Sequence, residues 1–174
     1  TIETQRPFDG SNGIAGHGGA IDVGGAIVEG DQLFISSGYG KGCALFQVAG
    51  GELKQIYANT EMKNHTNGCV LYEGHLYGLD GQMGSDGRLV CRDFATGKGA
   101  WAEEDMKPGA LIVADGKIVA MIDGGDLLIA EAKPAGFKQL ARAKVLKGQC
   151  WTTPVLSHGR IYCRSNKEGE LAAV

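Results

Sequence analysis

One short pattern recurs four times along the 174-residue chain, and its period constrains the fold more than any other feature. Each copy is an apolar pair, a polar residue and a glycine, followed by an alternating apolar run. The copies are Ile27-Val28-Glu29-Gly30, Leu71-Tyr72-Glu73-Gly74, Val113-Ala114-Asp115-Gly116 and Leu156-Ser157-His158-Gly159. The glycines are 44, 42 and 43 residues apart. A second anchor follows each hairpin, with leucines at Leu45, Leu89, Leu127 and Leu171. A third is a turn leading into a last strand: Gly50-Gly51 to Tyr57, Thr96-Gly97-Lys98 to Trp101, and Ala135-Gly136-Phe137 to Leu140. Three anchors in phase on one period define a repeat.

Each unit reads as four short strands joined by tight turns, an antiparallel meander. Glycine supplies the positive φ that two-residue hairpins need. The 29 glycines therefore argue for turns and against long helices, in whose interior each costs about 1 kcal/mol relative to alanine. They lack a Gly-X-Y period, so the chain is not collagen-like. A four-stranded unit of 40–45 residues is the signature of a β-propeller blade. A β-sandwich would also use many short strands, but it leaves the period unexplained. The expected class is all-β, with four-stranded antiparallel blades spanning about 20–60, 61–104, 105–147 and 148–174. The last is incomplete, because the chain reaches Val174 inside its third strand.

Charge and cysteine usage exclude several functions. The net charge is −3, with no basic block, so nucleic acid is not an expected partner. No apolar run approaches about 20 residues, so no membrane-spanning helix is expected. The chain opens on Thr1 without a signal-like apolar segment, which reads as a processed or excised chain. Five cysteines (Cys43, Cys69, Cys91, Cys150, Cys163) leave at least one unpaired within the chain. None forms a C-x-x-C pair, which argues against a zinc ribbon or a thioredoxin-type site.

The second unit carries the most specific motif, Cys91-Arg92-Asp93-Phe94-Ala95-Thr96-Gly97-Lys98-Gly99-Ala100-Trp101. It resembles the tryptophan-docking motif A-x-D-x-x-T-G-K-x-x-W of propellers of the pyrroloquinoline quinone (PQQ) type, with Cys91 in place of alanine. The resemblance covers about residues 20 to 174 and extends to the PQQ-like repeat proteins of the bacterial envelope. It implies a structural docking motif of Cys91, Asp93, Thr96, Gly97, Lys98 and Trp101, in which the tryptophan lies on the peptide around the next blade's glycine. A large flat side chain needs bare backbone to lie on, and glycine provides it. Unit one has Tyr57 where the tryptophan would stand, and unit three has Phe137 and Leu140. The resemblance further implies a ring of seven or eight blades. The chain would then be part of a larger ring, completed by further blades or by a second copy.

Other residues invite chemistry less specifically. Ser36-Ser37-Gly38-Tyr39-Gly40-Lys41-Gly42 looks like a phosphate cradle but lacks G-K-[ST] and a following helix, so a hairpin between strands two and three is expected. Asp80-Gly81 with Ser85-Asp86-Gly87 lacks the spacing of a calcium loop, and Asp123 with Asp126 reads as a turn. His17 sits in a glycine-rich segment and reads as a solvated residue. His65 opens a strand where an axial site would draw its residues, within the glycosylation sequon Asn64-His65-Thr66. His75 and His158 flank turn glycines and are expected at the surface. Trp151 is a second docking or core candidate, or a stacking platform. No Ser-His-Asp spacing or nucleophile elbow is present.

Enzymes of the resembled family hold PQQ with calcium at the ring axis, using adjacent cysteines, a calcium-ligand set and an aspartate base. This sequence has no adjacent cysteines and no recognisable calcium loop. The expected function is therefore a non-catalytic scaffold for protein binding or assembly in the bacterial envelope, without a cofactor. The alternative is a fragment of a PQQ-dependent alcohol dehydrogenase.

Overall fold

The computed structural model describes residues 25–174 except 66, 83, 167 and 168. His17 lies outside the described residues, as does the Thr66 of the sequon. The described chain is all strand and turn, arranged as four antiparallel sheets in chain order. The first holds β1 (Ile27–Glu29), β2 (Gln32–Ser37), β3 (Gly42–Ala49) and β4 (Glu52–Asn59). The second holds β5 (Val70–Tyr72), β6 (His75–Gly81), β7 (Gly87–Asp93) and β8 (Gly99–Met106). The third holds β9 (Gly109–Ala114), β10 (Lys117–Ile122), β11 (Asp126–Glu131) and β12 (Gln139–Lys144). The fourth has three strands, β13 (Val155–Ser157), β14 (Arg160–Arg164) and β15 (Leu171–Ala173). Every sheet is a simple meander, so the repeat in the sequence is a repeat of blades. The architecture is a partial β-propeller.

The turn glycines explain how each blade starts. In blades 2, 3 and 4 the first hairpin closes on Glu73-Gly74, Asp115-Gly116 and His158-Gly159, with both residues at positive φ. That is the primed turn whose twist matches the strands. Blade 1 departs from this. Glu29 pairs with Gln32, so the turn residues are Gly30 and Asp31, and of these two only Gly30 has positive φ. The glycine stands first in this turn rather than second, and the alignment of glycines by sequence is one residue out of phase here.

Packing runs between sheets. Phe34, Cys43 and Leu45 of blade 1 meet Leu76, Val90 and Phe94 of blade 2. Tyr77, Leu79, Leu89 and Cys91 of blade 2 meet Ile118, Ala120, Ile122 and Leu128 of blade 3. Val119, Met121 and Leu127 of blade 3 meet Cys163 of blade 4 and Cys150 of the connector before it. Side chains alternate along each strand, so each blade turns one apolar set forward and another backward.

All five cysteines are buried free thiols within this packing. Burial pushes Cys43 up to about 11, Cys69 to about 12 and Cys91 to about 11, from 9.0. The folded thiols resist ionisation that the unfolded chain accepts. Their contribution to stability is whole below pH 9 and is lost as pH rises from there through the folded-state values. Thermal unfolding should accordingly show a flat midpoint from pH 7 to 8.5 and a falling one above pH 9. An aromatic disulfide reagent should titrate five thiols in guanidinium and react only slowly with the native chain at neutral pH.

Candidate binding surface at the connector end

In a meander the loops sort to two ends. Hairpins between strands 1 and 2 and between strands 3 and 4 share one end. Loops between strands 2 and 3, and the connectors between blades, share the other. The connectors differ in length: ten residues precede β5 and β13, but only Lys107-Pro108 precede β9. The two long connectors meet each other. Asn67 Nδ2 donates to the Trp151 carbonyl at 2.7 Å, and Thr153 Oγ1 donates to Asn67 Oδ1 at 3.3 Å. The Trp151 amide and Thr152 hydroxyl donate to Asn166 Oδ1, and Arg164 donates to Thr152 Oγ1. This clasp ties blade 2 to blade 4 across two blades' worth of sequence. Tyr39 and His65 stack edge to face beside it, ring centroids 4.7 Å apart. Polar and aromatic side chains from several loops are thus gathered on one end over rigid sheets, an arrangement suited to recognition.

Beneath this surface a polar network fixes the first long connector to blade 2. Ser36 Oγ donates to the Met62 carbonyl and accepts from the Asn64 amide. Asp80 is buried and accepts from the Lys63 amide at 2.6 Å and from Arg88 Nε at 2.7 Å. That carboxylate holds the Arg88 guanidinium more firmly charged than usual. Glu61 bridges Arg88 and Arg92, the latter at 2.8 Å. Arg92 NH1 also donates to the Gly97 carbonyl. Buried ionic groups need such partners, and both terminal nitrogens of Arg92 have them while its Nε is buried without one.

These contacts decide several expectations. Asp80, read as a turn residue rather than a calcium ligand, is engaged by a backbone amide and an arginine. Among the described residues no three metal-ligating side chains converge. Ser36 to Gly42 forms the hairpin of strands 2 and 3, with residues 38–41 as its loop, not a phosphate cradle on a helix. Asp123 closes a turn, accepting from the Gly124 and Cys150 amides. Asp126 pairs with Arg142, whose hydrogen bond holds its carboxyl below the usual range. Asn64 is 1% exposed and donates to the Leu79 carbonyl, so the sequon offers no acceptor in the folded chain. His158 is exposed in its turn, and His75 is half-buried with Nδ1 3.0 Å from the Glu73 carbonyl.

The docking motif builds a self-contained turn. Asp93 Oδ1 accepts from both the amide and the hydroxyl of Thr96, and the hydroxyl holds the carboxyl low. Backbone bonds from Gly97 N to Asp93 O and from Asp93 N to Lys98 O close the loop. Gly97 then has φ +69°, and a Cβ there would stand 2.7 Å from the Tyr57 ring. Tyr57 of blade 1 lies on this glycine and donates its hydroxyl to the Phe94 carbonyl at 2.9 Å. Trp101 repeats the hydrogen bond one blade on but not the seat on glycine, since nothing comes within 4 Å of a Cβ at Gly136 in the turn it reaches. Its Nε1 donates to the Lys133 carbonyl at 2.7 Å, and its ring packs between Tyr77 and Phe137. Cys91 is buried opposite Trp101 on β7.

In blade 3 the register assigns this place to Ala141, not Leu140. Tyr57 pairs with Leu45, Trp101 with Cys91 and Ala141 with Ile129, each just before a bulge. Leu140 is the extra bulge residue and is 45% exposed. Blade 3 therefore reaches blade 4 without a docking aromatic. A bulge adds one residue, which spacing along the sequence cannot register.

No family model and no curated protein sequence matches the chain. Solved structures do. BamB from Moraxella catarrhalis superposes with TM-score 0.66 at 18% identity, over 86% of this chain and 42% of that one. The computationally designed Ika4 protein gives 0.65 at 12% identity, over 91% and 92%. A europium-containing methanol dehydrogenase gives 0.56 at 14% identity, over 74% and 27%. The chain thus spans less than half of BamB and about a quarter of the dehydrogenase. Likeness at these identities carries the fold alone.

Proposed function

We propose that the chain is a PQQ-like propeller scaffold of the bacterial envelope, non-catalytic, that binds or assembles other proteins through the connector end. One observation carries the reading: the buried charged groups are occupied in holding the blades and connectors together. Asp80, Arg88, Arg92 and Glu61 are paired with one another or with backbone. The side chains gathered above them, Tyr39 and His65 with Asn67 and Thr153, form a polar and aromatic surface of the kind that recognises proteins. The envelope setting draws on the family resemblance. Burial of all five thiols is compatible with it, because they are shielded from oxidation.

The test is titration of the chain with PQQ and calcium, followed by quinone absorbance and dye-linked alcohol oxidation. The expected result is no saturable spectral shift and no oxidation. A stoichiometric shift with turnover would replace the scaffold by the dehydrogenase reading. Fractionation of the source cells, with detection of the protein by antibody, tests the compartment. Recovery in the cytoplasmic fraction would remove the envelope from the proposal.

A further inference from the structure

Blade 4 and its connector carry two cysteines at places that the repeat brings together. The Asn166 amide donates to the Gln149 carbonyl at 2.7 Å, as the Gly81 amide donates to the Lys63 carbonyl at 3.2 Å in blade 2. Gly81 and Asn166 each stand seven residues after the turn glycine, Gly74 or Gly159. The two connectors therefore run alike here, with Gln149 in the place of Lys63 and Cys150 in the place of Asn64. On the second strands, Gly78 and Cys163 are equivalent, each four residues after its turn glycine. In blade 2 these two places touch: a Cβ at Gly78 would stand 3.1 Å from Asn64 Nδ2. In blade 4 both places hold a short side chain ending in sulfur.

The surroundings agree with that placement. Cys150 is 0% exposed and Cys163 2% exposed, and both lie in the core between blades 3 and 4 with Met121, Leu127 and Leu146. Cys150 is held from blade 3, its amide donating to Asp123 Oδ1 at 3.0 Å. Its thiol reaches the Gly148 carbonyl at a long 3.7 Å, a weak contact to give up. This is also the contact between blades that lacks a tie. Tyr57 and Trp101 each hydrogen-bond the next blade, whereas Ala141 offers blade 4 no such group.

We infer that Cys150 and Cys163 join as a disulfide under oxidising conditions and so brace blade 4 against blade 3. The bond closes a loop of 14 residues. Because the Cys150 amide already holds Asp123, the link ties the turn of blade 3, the connector and β14 into one piece. It also steadies the next residue, Trp151, whose carbonyl receives Asn67 in the clasp. The redox state therefore sets how firmly the connector end is held. The chemistry is exchange with a small disulfide such as oxidised glutathione. One cysteine thiolate attacks a sulfur of the reagent and expels a glutathione thiolate. The other attacks the cysteine sulfur of the mixed disulfide and expels the second. The two cysteines lose two protons and two electrons, and the reagent becomes two thiols. Burial holds the Cys163 thiol above its usual range, so the native packing slows this exchange. It proceeds through local opening of blade 4, the blade without a docked ring. The inference goes beyond the scaffold reading and does not rest on it.

The experiment equilibrates the whole chain, purified under reductant, with oxidised glutathione at mildly alkaline pH and maps the products by mass. Trypsin separates the five cysteines, placing Cys150 in Gly148–Arg160 and Cys163 in Ile161–Arg164. The expected product is lighter by two hydrogens, joins these two peptides and titrates three thiols in guanidinium instead of five. Its melting temperature should exceed that of the reduced chain by at least about 4 °C. Hydrogen exchange in β13 and β14 should slow, and dithiothreitol should reverse both changes. Cys150→Ala should show neither the link nor the shift, and the map of the parent chain decides the pairing even where that variant does not fold. A link between Cys43 and Cys69, which share the core between blades 1 and 2, would overturn the inference. So would five thiols remaining after prolonged oxidation, or glutathione adducts without a link. A Cys150–Cys163 bond with an unmoved melting temperature would overturn the bracing. None of these outcomes bears on the PQQ titration, so the two readings fail separately.

Discussion

Replacing Gly125 by alanine should cost the chain more than about 4 kcal/mol of stability. Gly125 has φ +103°, outside the region that non-glycine residues tolerate. A Cβ there would run into the carbonyl of Leu146, so backbone rather than a flexible side chain would have to move. That same backbone is fixed: the amides of Val145 and Leu146 both donate to the Gly125 carbonyl. Leu146 in turn is buried with Met121, Cys150 and Cys163 between blades 3 and 4. Conformational strain and displacement of a packed connector together should exceed about 4 kcal/mol, a large share of the 5–15 kcal/mol of an ordinary domain. Circular dichroism and urea titration would measure it.

Gly116→Asn provides the comparison. It also has positive φ, +65°, but its nearest neighbour is the Tyr72 hydroxyl at 3.8 Å. Asparagine accepts that conformation in a turn, so the loss should stay below about 1 kcal/mol. A Gly125→Ala chain melting within 2 °C of its parent would show that the connector yields freely. The same device recurs in the other blades: Gly42 abuts Asn59 and Thr60, and Gly87 abuts Pro108. In blade 4 Gly169 has nothing within 4 Å, because no fourth strand and connector pass there among the described residues.

The blade repeat was readable from the sequence because turn chemistry is local. The Glu-Gly, Asp-Gly and His-Gly pairs of blades 2, 3 and 4 each put two residues at positive φ in a turn, and with Gly30 of blade 1 they mark a period. Register was less readable, because it depends on pairing between strands. The Gly30 turn is shifted by one residue, and the bulge before Ala141 moves the docking position off Leu140. Both are one-residue events that a 43-residue spacing absorbs without trace. The partnering of Asp80 with Arg88, eight residues on, could have been suspected from the hairpin that pairs them. The clasp between Asn67 and Trp151 could not, since 84 residues separate them and no motif links them.

Trp101→Ala should give the other large loss, about 3 kcal/mol, and it should fall on the contact between blades 2 and 3. The indole is half-buried between Tyr77 and Phe137, so removing it deletes two aromatic contacts and opens space beside Cys91. Truncation of a packed tryptophan costs about 3–5 kcal/mol, and partial exposure places this one at the low end. The lost Nε1 bond to the Lys133 carbonyl is about 1 kcal/mol of that total. Trp101→Phe keeps most of the ring and should therefore lose about 1–2 kcal/mol. Tyr57→Phe removes only the bond to the Phe94 carbonyl and should lose about 1 kcal/mol at the contact between blades 1 and 2. Hydrogen exchange separates these effects from a general loosening. Trp101→Ala should raise exchange in β9 and β10 more than in β2 and β3, and Tyr57→Phe the reverse. Because Ala141 offers blade 4 no ring to rest on, β13 to β15 should exchange fastest in the parent chain already. Uniform acceleration across all four sheets in Trp101→Ala would mean that the blades unfold as one unit and that the docked aromatics do not act on individual contacts.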